Sequence, residues 1–125
     1  MLKVGIKDLL AQANSMIETV SVQDLETHVD NLGAIIVDVR ETSEWEEEGS
    51  IPGAIHASRG LLEFHVDPAS EMHISALVPD QQIILYCGTG GRSALAAKTL
   101  VEMGYTDVRS LAGGYAAWQQ AKKVE

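Results

Sequence analysis

Apolar residues recur at Ile6, Leu9, Leu10, Ala13 and Ile17. That spacing predicts an amphipathic helix over residues 6–19. Ser21 then stands as a helix-capping residue with Asp24 at the third helical position, and predicts a second helix over residues 22–30. After this the period changes. Residues 34–39 are a continuous apolar run broken by Asp38 alone, which reads as a strand buried on both faces of a parallel sheet. Arg40 ends the run. Ser43 and Glu46 have capping-box spacing for a short acidic helix that Gly49 stops. Ile51-Pro52-Gly53 is turn chemistry, and residues 54–57 read as a short strand. Residues 60–66 predict a helical turn or two. Residues 66–80 hold two prolines and a short helix is expected near 71–77.

Residues 82–87 form a second buried run that ends on Cys87, and residues 88–93 are a tight glycine-rich loop. A helix beginning near Ser93 carries apolar Ala94, Leu95, Ala97, Leu100 and Val101 and stops at Gly104. Residues 107–111 read as a last core strand. After Gly113-Gly114, residues 115–123 predict a terminal helix with Lys122 and Lys123 at its carboxyl end. Strands alternate with helices throughout, which places the chain in the parallel α/β class with helices on both sheet faces. No internal repeat, low-complexity tract or linker interrupts the pattern.

The chain has 125 residues, enough for one domain with a real core. Its 46% hydrophobic content includes only one Phe, two Trp and three Tyr, so aliphatic side chains must build most of that core. The net charge of −9 would repel a phosphate backbone, which sets nucleic-acid binding aside. Any anion must therefore be attracted locally, by backbone N–H groups and one or two arginines. One cysteine excludes an intramolecular disulfide and suits a reducing compartment. The N-terminal segment has neither a membrane-spanning stretch nor the pattern of a signal peptide, so no membrane partner and a cytoplasmic location are expected. His28, His56, His65 and His73 show no ligand spacing with one another or with Cys87, so neither metal nor cofactor is expected.

The chemistry concentrates around Cys87. A cysteine stands at the carboxyl end of a buried strand, where open α/β sheets bind ligands. Three glycines among residues 88–91 let the loop curl with positive φ, so that successive N–H groups can face inward. The helix that follows adds unpaired N–H groups and the positive end of its dipole. Arg92 adds a full charge. Together these favour an anion at the loop's centre and thiolate over thiol at Cys87. A cysteine closing a buried strand is by itself most simply a small core residue. Glycines and an arginine are a poor continuation of a packed core, and they turn the reading toward a nucleophile. Two other glycine-rich loops fail on spacing. A dinucleotide fingerprint needs a glycine where Ser93 stands, and a P-loop needs Gly-Lys-Ser/Thr where the chain has Gly91-Arg92-Ser93. A thiolate ringed by amides suits attack on an oxyanion of sulfur, arsenic or phosphorus.

Cys87-Gly88-Thr89-Gly90-Gly91-Arg92 resembles the Cys-x-x-Gly-x-Arg active-site loop of rhodanese domains. Three further segments are similar to family signatures and fall in family order. They are Val37-Asp38-Val39-Arg40-Glu41 with Glu44-Trp45, Gly49-Ser50-Ile51-Pro52-Gly53-Ala54, and Leu111-Ala112-Gly113-Gly114-Tyr115 with Trp118. The resemblance implies a central, mostly parallel five-stranded sheet flanked by helices on both faces. It implies a rhodanese-like domain over residues 21–125, with residues 1–20 as a helical extension packed on it. The activity it implies is sulfur transfer. Cys87 thiolate would attack the outer sulfur of a small-molecule donor such as thiosulfate and sulfite would leave. The Cys87 persulfide would be cradled by Gly88, Thr89, Gly90, Gly91, Arg92 and Ser93, and cyanide or a thiol, free or on a protein, would collect the sulfur. Phosphatases of related architecture place five residues between Cys and Arg. Here four residues separate Cys87 from Arg92, and the resemblance associates that shorter ring with a single sulfane sulfur.

Supporting roles are expected for three residues. Asp38, on a buried strand end, is expected to accept loop N–H bonds or to pair with an arginine. Arg40 is expected to pair with Glu44 or Glu41, in its blandest form as a solvated ion pair. Arg59 either reaches the mouth of the anion site or is a surface charge. Tyr86 and Trp118 read as core, and Glu46-Glu47-Glu48 as an exposed helix face. Besides a sulfurtransferase, the residues admit a non-enzymatic persulfide carrier or sensor acting with a protein partner. An arsenate- or phosphate-handling enzyme is the third reading.

Overall fold

Each strand is joined to the next by a helix, and the strands accordingly run parallel. The computed structural model describes residues 1–124. In chain order its elements are α1 (Ile6–Met16), β1 (Glu18–Val20), α2 (Val22–Leu32), β2 (Ile35–Asp38), α3 (Thr42–Glu48) and β3 (Ile55–His56). A 3-10 turn over Arg59–Leu61 then leads into α4 (Leu62–Val66), followed by β4 (Ile83–Tyr86), α5 (Gly91–Met103), β5 (Val108–Leu111) and α6 (Gly114–Lys123). The five-stranded sheet has the order β1-β5-β4-β2-β3, with every pairing parallel. This is the α/β sheet expected, with helices on both faces.

β4 lies at the centre and is fully buried. Its side chains alternate between two cores. Ile83 and Leu85 pack with Leu62, Leu77, Ala97 and Leu100 on the α4 and α5 side. Ile84 and Tyr86 pack with Leu25, Ile36, Leu111 and Tyr115 on the α2 and α6 side. A strand apolar on both faces is the signature of a covered parallel sheet. α1 packs against α5 and buries Ala13 completely.

Four expectations change. The N-terminal helix stops at Met16, and Glu18–Val20 form an edge strand instead of a last helical turn. Glu18 and Thr19 are exposed and only Val20 is buried, so no period marked this strand. The helix expected near 71–77 is a series of turns. Side chains capture the backbone at and just before its start, with the Ala69 N–H bound by Asp67 and the Met72 N–H bound by Ser70, a competition that works against helix. The short acidic helix is capped two residues earlier than expected. Glu41, not Ser43, precedes it, and the Glu44 carboxylate accepts the Glu41 N–H at 3.0 Å. Finally, α5 begins at Gly91, not near Ser93.

Candidate active site

Cys87 is the first residue beyond β4, and only 2% of it is exposed. Of the loop glycines expected to take positive φ, Gly90 alone does so, at 124°. That conformation aims its N–H at the sulfur, with nitrogen and Sγ 3.1 Å apart. Because α5 starts at Gly91, Ser93 falls in its first turn, and the Ser93 N–H also points at Sγ, 3.4 Å away. The Ser93 hydroxyl lies 3.6 Å from Sγ. Burial pushes the thiol up. Hydrogen bonds from the Ser93 hydroxyl and the amides of Ser93, Gly90 and Thr89 outweigh it, so Cys87 sits below its ordinary value.

A second helix end holds the loop's outer side. The Tyr115 N–H donates to the Cys87 carbonyl at 2.8 Å, and the Ala116 N–H donates to the Gly88 carbonyl at 3.1 Å. The Gly88 carbonyl shares its peptide with the Thr89 N–H, one of the amides that hydrogen-bond the sulfur, so the start of α6 braces that part of the loop. The approach is close enough to require glycine. Gly114 has φ 60°, and a Cβ there would stand 2.6 Å from the Cys87 oxygen and 2.8 Å from that of Gly88. The Gly113-Gly114 pair was visible in the sequence, but its grip on the loop was not. Ser110 was missed as well. It is buried on β5 with its hydroxyl 2.7 Å from that of Ser93.

Arg92 does not present a free charge. Its guanidinium lies against Gly88, 3.4 Å from where a Cβ would stand. Both terminal nitrogens bind the Glu44 carboxylate, at 2.7 and 3.0 Å. The Arg92 pair, with some opposition from burial, pushes Glu44 down to about 2.

Arg40 corrects the expectation of a surface pair with Glu44 or Glu41. It is 0% exposed and grips both oxygens of Asp38, at 2.8–3.1 Å. It also donates to the Gly49 carbonyl at 2.6 Å and to Glu48 at 3.3 Å, and its guanidinium lies 4.3 Å from the Tyr115 ring centroid. The Tyr115 hydroxyl in turn donates to the Glu48 carbonyl at 2.9 Å. Three signature segments thus meet in one buried polar cluster. Asp38 takes an arginine and not the loop amides: it accepts from the Arg40 N–H at 2.8 Å and from the Arg40 guanidinium at 2.8 Å. Arg59 binds Glu63 at 3.1 Å and Thr99 at 3.1 Å, neither of which belongs to the loop. Tyr86 is fully buried and Trp118 half-buried, stacked on Tyr115 at 5.6 Å.

Beside the loop, a cleft of about 310 Å³ is lined by α1 residues Leu10 and Asn14 together with Thr89, Gly90, Gly91 and Ser110. Among the described residues no His, Cys, Asp and Glu cluster of three or more could hold a metal ion. Nor is any helix among them long and apolar enough to cross a membrane.

A rhodanese-like domain profile matches residues 21–121. The thiosulfate sulfurtransferase GlpE of Pseudoalteromonas translucida (strain TAC 125) is 35% identical over 99 residues, which cover 78% of this chain and 86% of that one. The thiosulfate:glutathione sulfurtransferase of Homo sapiens is 32% identical over 106 residues, 80% of this chain and 91% of that one. Among solved structures, a protein of unknown function from Rhodopseudomonas palustris CGA009, described as a possible tyrosine phosphatase, is 40% identical with a TM-score of 0.89, over 98% of this chain and 94% of that one.

Proposed function

The chain belongs to the rhodanese-like family, and we propose that it is a sulfurtransferase that loads sulfane sulfur onto Cys87 as a persulfide. The donor is a molecule such as thiosulfate, and cyanide or a thiol collects the sulfur. The observation that carries this reading is the convergence of the Gly90 and Ser93 amides on Sγ, at 3.1 and 3.4 Å. Those donors favour the thiolate that attacks. They also offer fixed hydrogen bonds to the charge that shifts between sulfurs during transfer.

In the first step the Cys87 thiolate forms an S–S bond to the outer sulfur of thiosulfate. The donor's own S–S bond breaks, and its electron pair leaves on sulfite. In the second step cyanide or a thiolate attacks the outer persulfide sulfur, and Cys87 departs as thiolate. Two steps through a covalent intermediate replace one. The human relative's name supports a thiol as acceptor.

The phosphatase description of the Rhodopseudomonas palustris protein supplies the competing reading. Only four residues separate Cys87 from Arg92, and Arg92 is engaged by Glu44 instead of being free for a phosphate. Intact-mass measurement after incubation with thiosulfate tests the reading. One added sulfur atom on Cys87 is expected. No adduct with either thiosulfate or polysulfide, or release of phosphate from p-nitrophenyl phosphate, would sink it. Turnover with cyanide is expected; loading without turnover favours a stoichiometric persulfide carrier.

A further inference from the structure

The loop of residues 88–93 contains one cationic side chain, Arg92, and a carboxylate occupies both of its terminal nitrogens. Glu44 is held from two directions, by Arg92 and by the Glu41 N–H at 3.0 Å, so it is fixed beside the loop. The negative charge of Glu41 also acts on Arg92. Arg40 and Arg59 do not make up the deficit, because Asp38 holds the first and Glu63 the second. The chain as a whole carries −9. What remains to attract an anion is the set of short-range amides, and these converge on a single atom, Sγ. The site therefore holds one negative charge at the sulfur well and has no unpaired arginine for a second charge farther out. Thiosulfate carries that second charge on its sulfonate end.

We propose, resting on the sulfurtransferase reading, that Glu44 is a specificity-determining residue: its carboxylate on Arg92 selects sulfane-sulfur donors of single charge, such as organic thiosulfonates and persulfides, over doubly charged thiosulfate. The chemistry of loading is unchanged. The Cys87 thiolate forms an S–S bond to the sulfane sulfur and the donor's S–S bond breaks. The electron pair leaves on a sulfinate from a thiosulfonate, or on a thiolate from a persulfide. No outside oxidant or reductant is required.

The test compares thiosulfate with methanethiosulfonate, which carries the same sulfane sulfur but has a methyl group in place of one charged oxygen. Rates of Cys87 persulfide formation are measured for the wild type, Glu44→Gln and Glu44→Asp over a range of salt concentrations. Repulsion scales with donor charge, so Glu44→Gln is expected to gain about threefold with methanethiosulfonate and about tenfold with thiosulfate. Thiosulfate loading by the wild type is expected to rise with salt more steeply than that of Glu44→Gln. Glu44→Asp keeps the charge and is expected to keep the wild-type ratio of the two rates. An unchanged ratio in Glu44→Gln, a fall in its thiosulfate rate, or a ratio shift in Glu44→Asp as large as in Glu44→Gln overturns the proposal while leaving sulfur transfer standing. If the wild type loads from neither donor nor from polysulfide, the sulfurtransferase reading falls and takes the proposal with it.

Discussion

The hydroxyl of Ser110 lies 2.7 Å from the hydroxyl of Ser93, and both are buried. Ser93 Oγ is also 3.1 Å from the Gly90 carbonyl and 3.6 Å from Sγ of Cys87. The Ser93 hydroxyl has one proton to give. With a neutral thiol it can give that proton to the Gly90 carbonyl. With a thiolate it must turn to sulfur, and Ser110 can then donate into the Ser93 oxygen. The pair is built to follow the charge on Cys87.

Removing that hydroxyl should be visible in a pH profile. The folded Cys87 thiol lies below its ordinary value near 9.0, so loading by the wild type is expected to rise with pH and to level off below that value. Ser93→Ala removes one of the bonds to the thiolate, and the rising limb moves to higher pH. On that rising limb loading falls about tenfold at a given pH, the worth of ~1.5 kcal/mol for a hydrogen bond to a charged group, and it recovers as the pH is raised. Ser110→Ala shifts the limb in the same direction by less. A Ser93→Ala profile that overlays the wild type contradicts the assignment.

Cys87→Ser separates chemistry from packing. The serine oxygen can accept the same Gly90 and Ser93 amides, so stability is expected to stay within about 1 kcal/mol of the wild type. No sulfur is taken up. Thermal unfolding and intact mass on one sample check both halves. Loss of the fold would mean that Cys87 is first of all a core residue.

The parts of this site that were legible in the sequence are local ones. A buried run, a cysteine, glycines and a helix follow one another within residues 83–93, and each step has its own chemical signature. The parts that were not legible depend on partners far along the chain. Glu44 and Arg92 are 48 positions apart, and nothing near Arg92 names its partner. The grip of α6 on Cys87 and Gly88 needs the sheet to bring β5 beside β4 first. Arg40 misled in the other direction. An arginine among glutamates reads as surface, yet Asp38 two residues earlier and the Tyr115 ring make burial possible. β1 is a strand only because β5 offers an edge, since two of its three residues are exposed.

That buried cluster predicts a large loss of stability. Arg40→Ala leaves the Asp38 carboxylate fully buried with its guanidinium partner gone. Breaking a buried pair from one side costs about 3–5 kcal/mol. Arg40→Lys is expected to recover only part of it, because an ammonium cannot span both Asp38 oxygens and the Gly49 carbonyl as a planar fork does. Denaturant unfolding measures both. A loss within 1 kcal/mol for Arg40→Ala would show the pair to be an ornament of the fold.

Gly114→Ala should damage the loop more than the fold. The added Cβ would meet the Cys87 carbonyl at 2.6 Å and that of Gly88 at 2.8 Å, from a φ of 60° that alanine resists. α6 must draw back, and the Tyr115 and Ala116 N–H bonds to those carbonyls lengthen or break. The Gly88 carbonyl is then free to turn, and the Thr89 N–H in the same peptide loses its aim at sulfur. About 2–4 kcal/mol of stability is expected to go, from strain and overpacking together. Loading per folded molecule is expected to fall at least tenfold. Gly113→Ala is the control. It has a similar φ of 74°, but its Cβ would strike Ala117 at 2.6 Å inside α6 and not the loop. It is expected to lose comparable stability while folded molecules still load sulfur. If the two variants lose loading equally once corrected for the folded fraction, α6 does not hold the loop by its carbonyls.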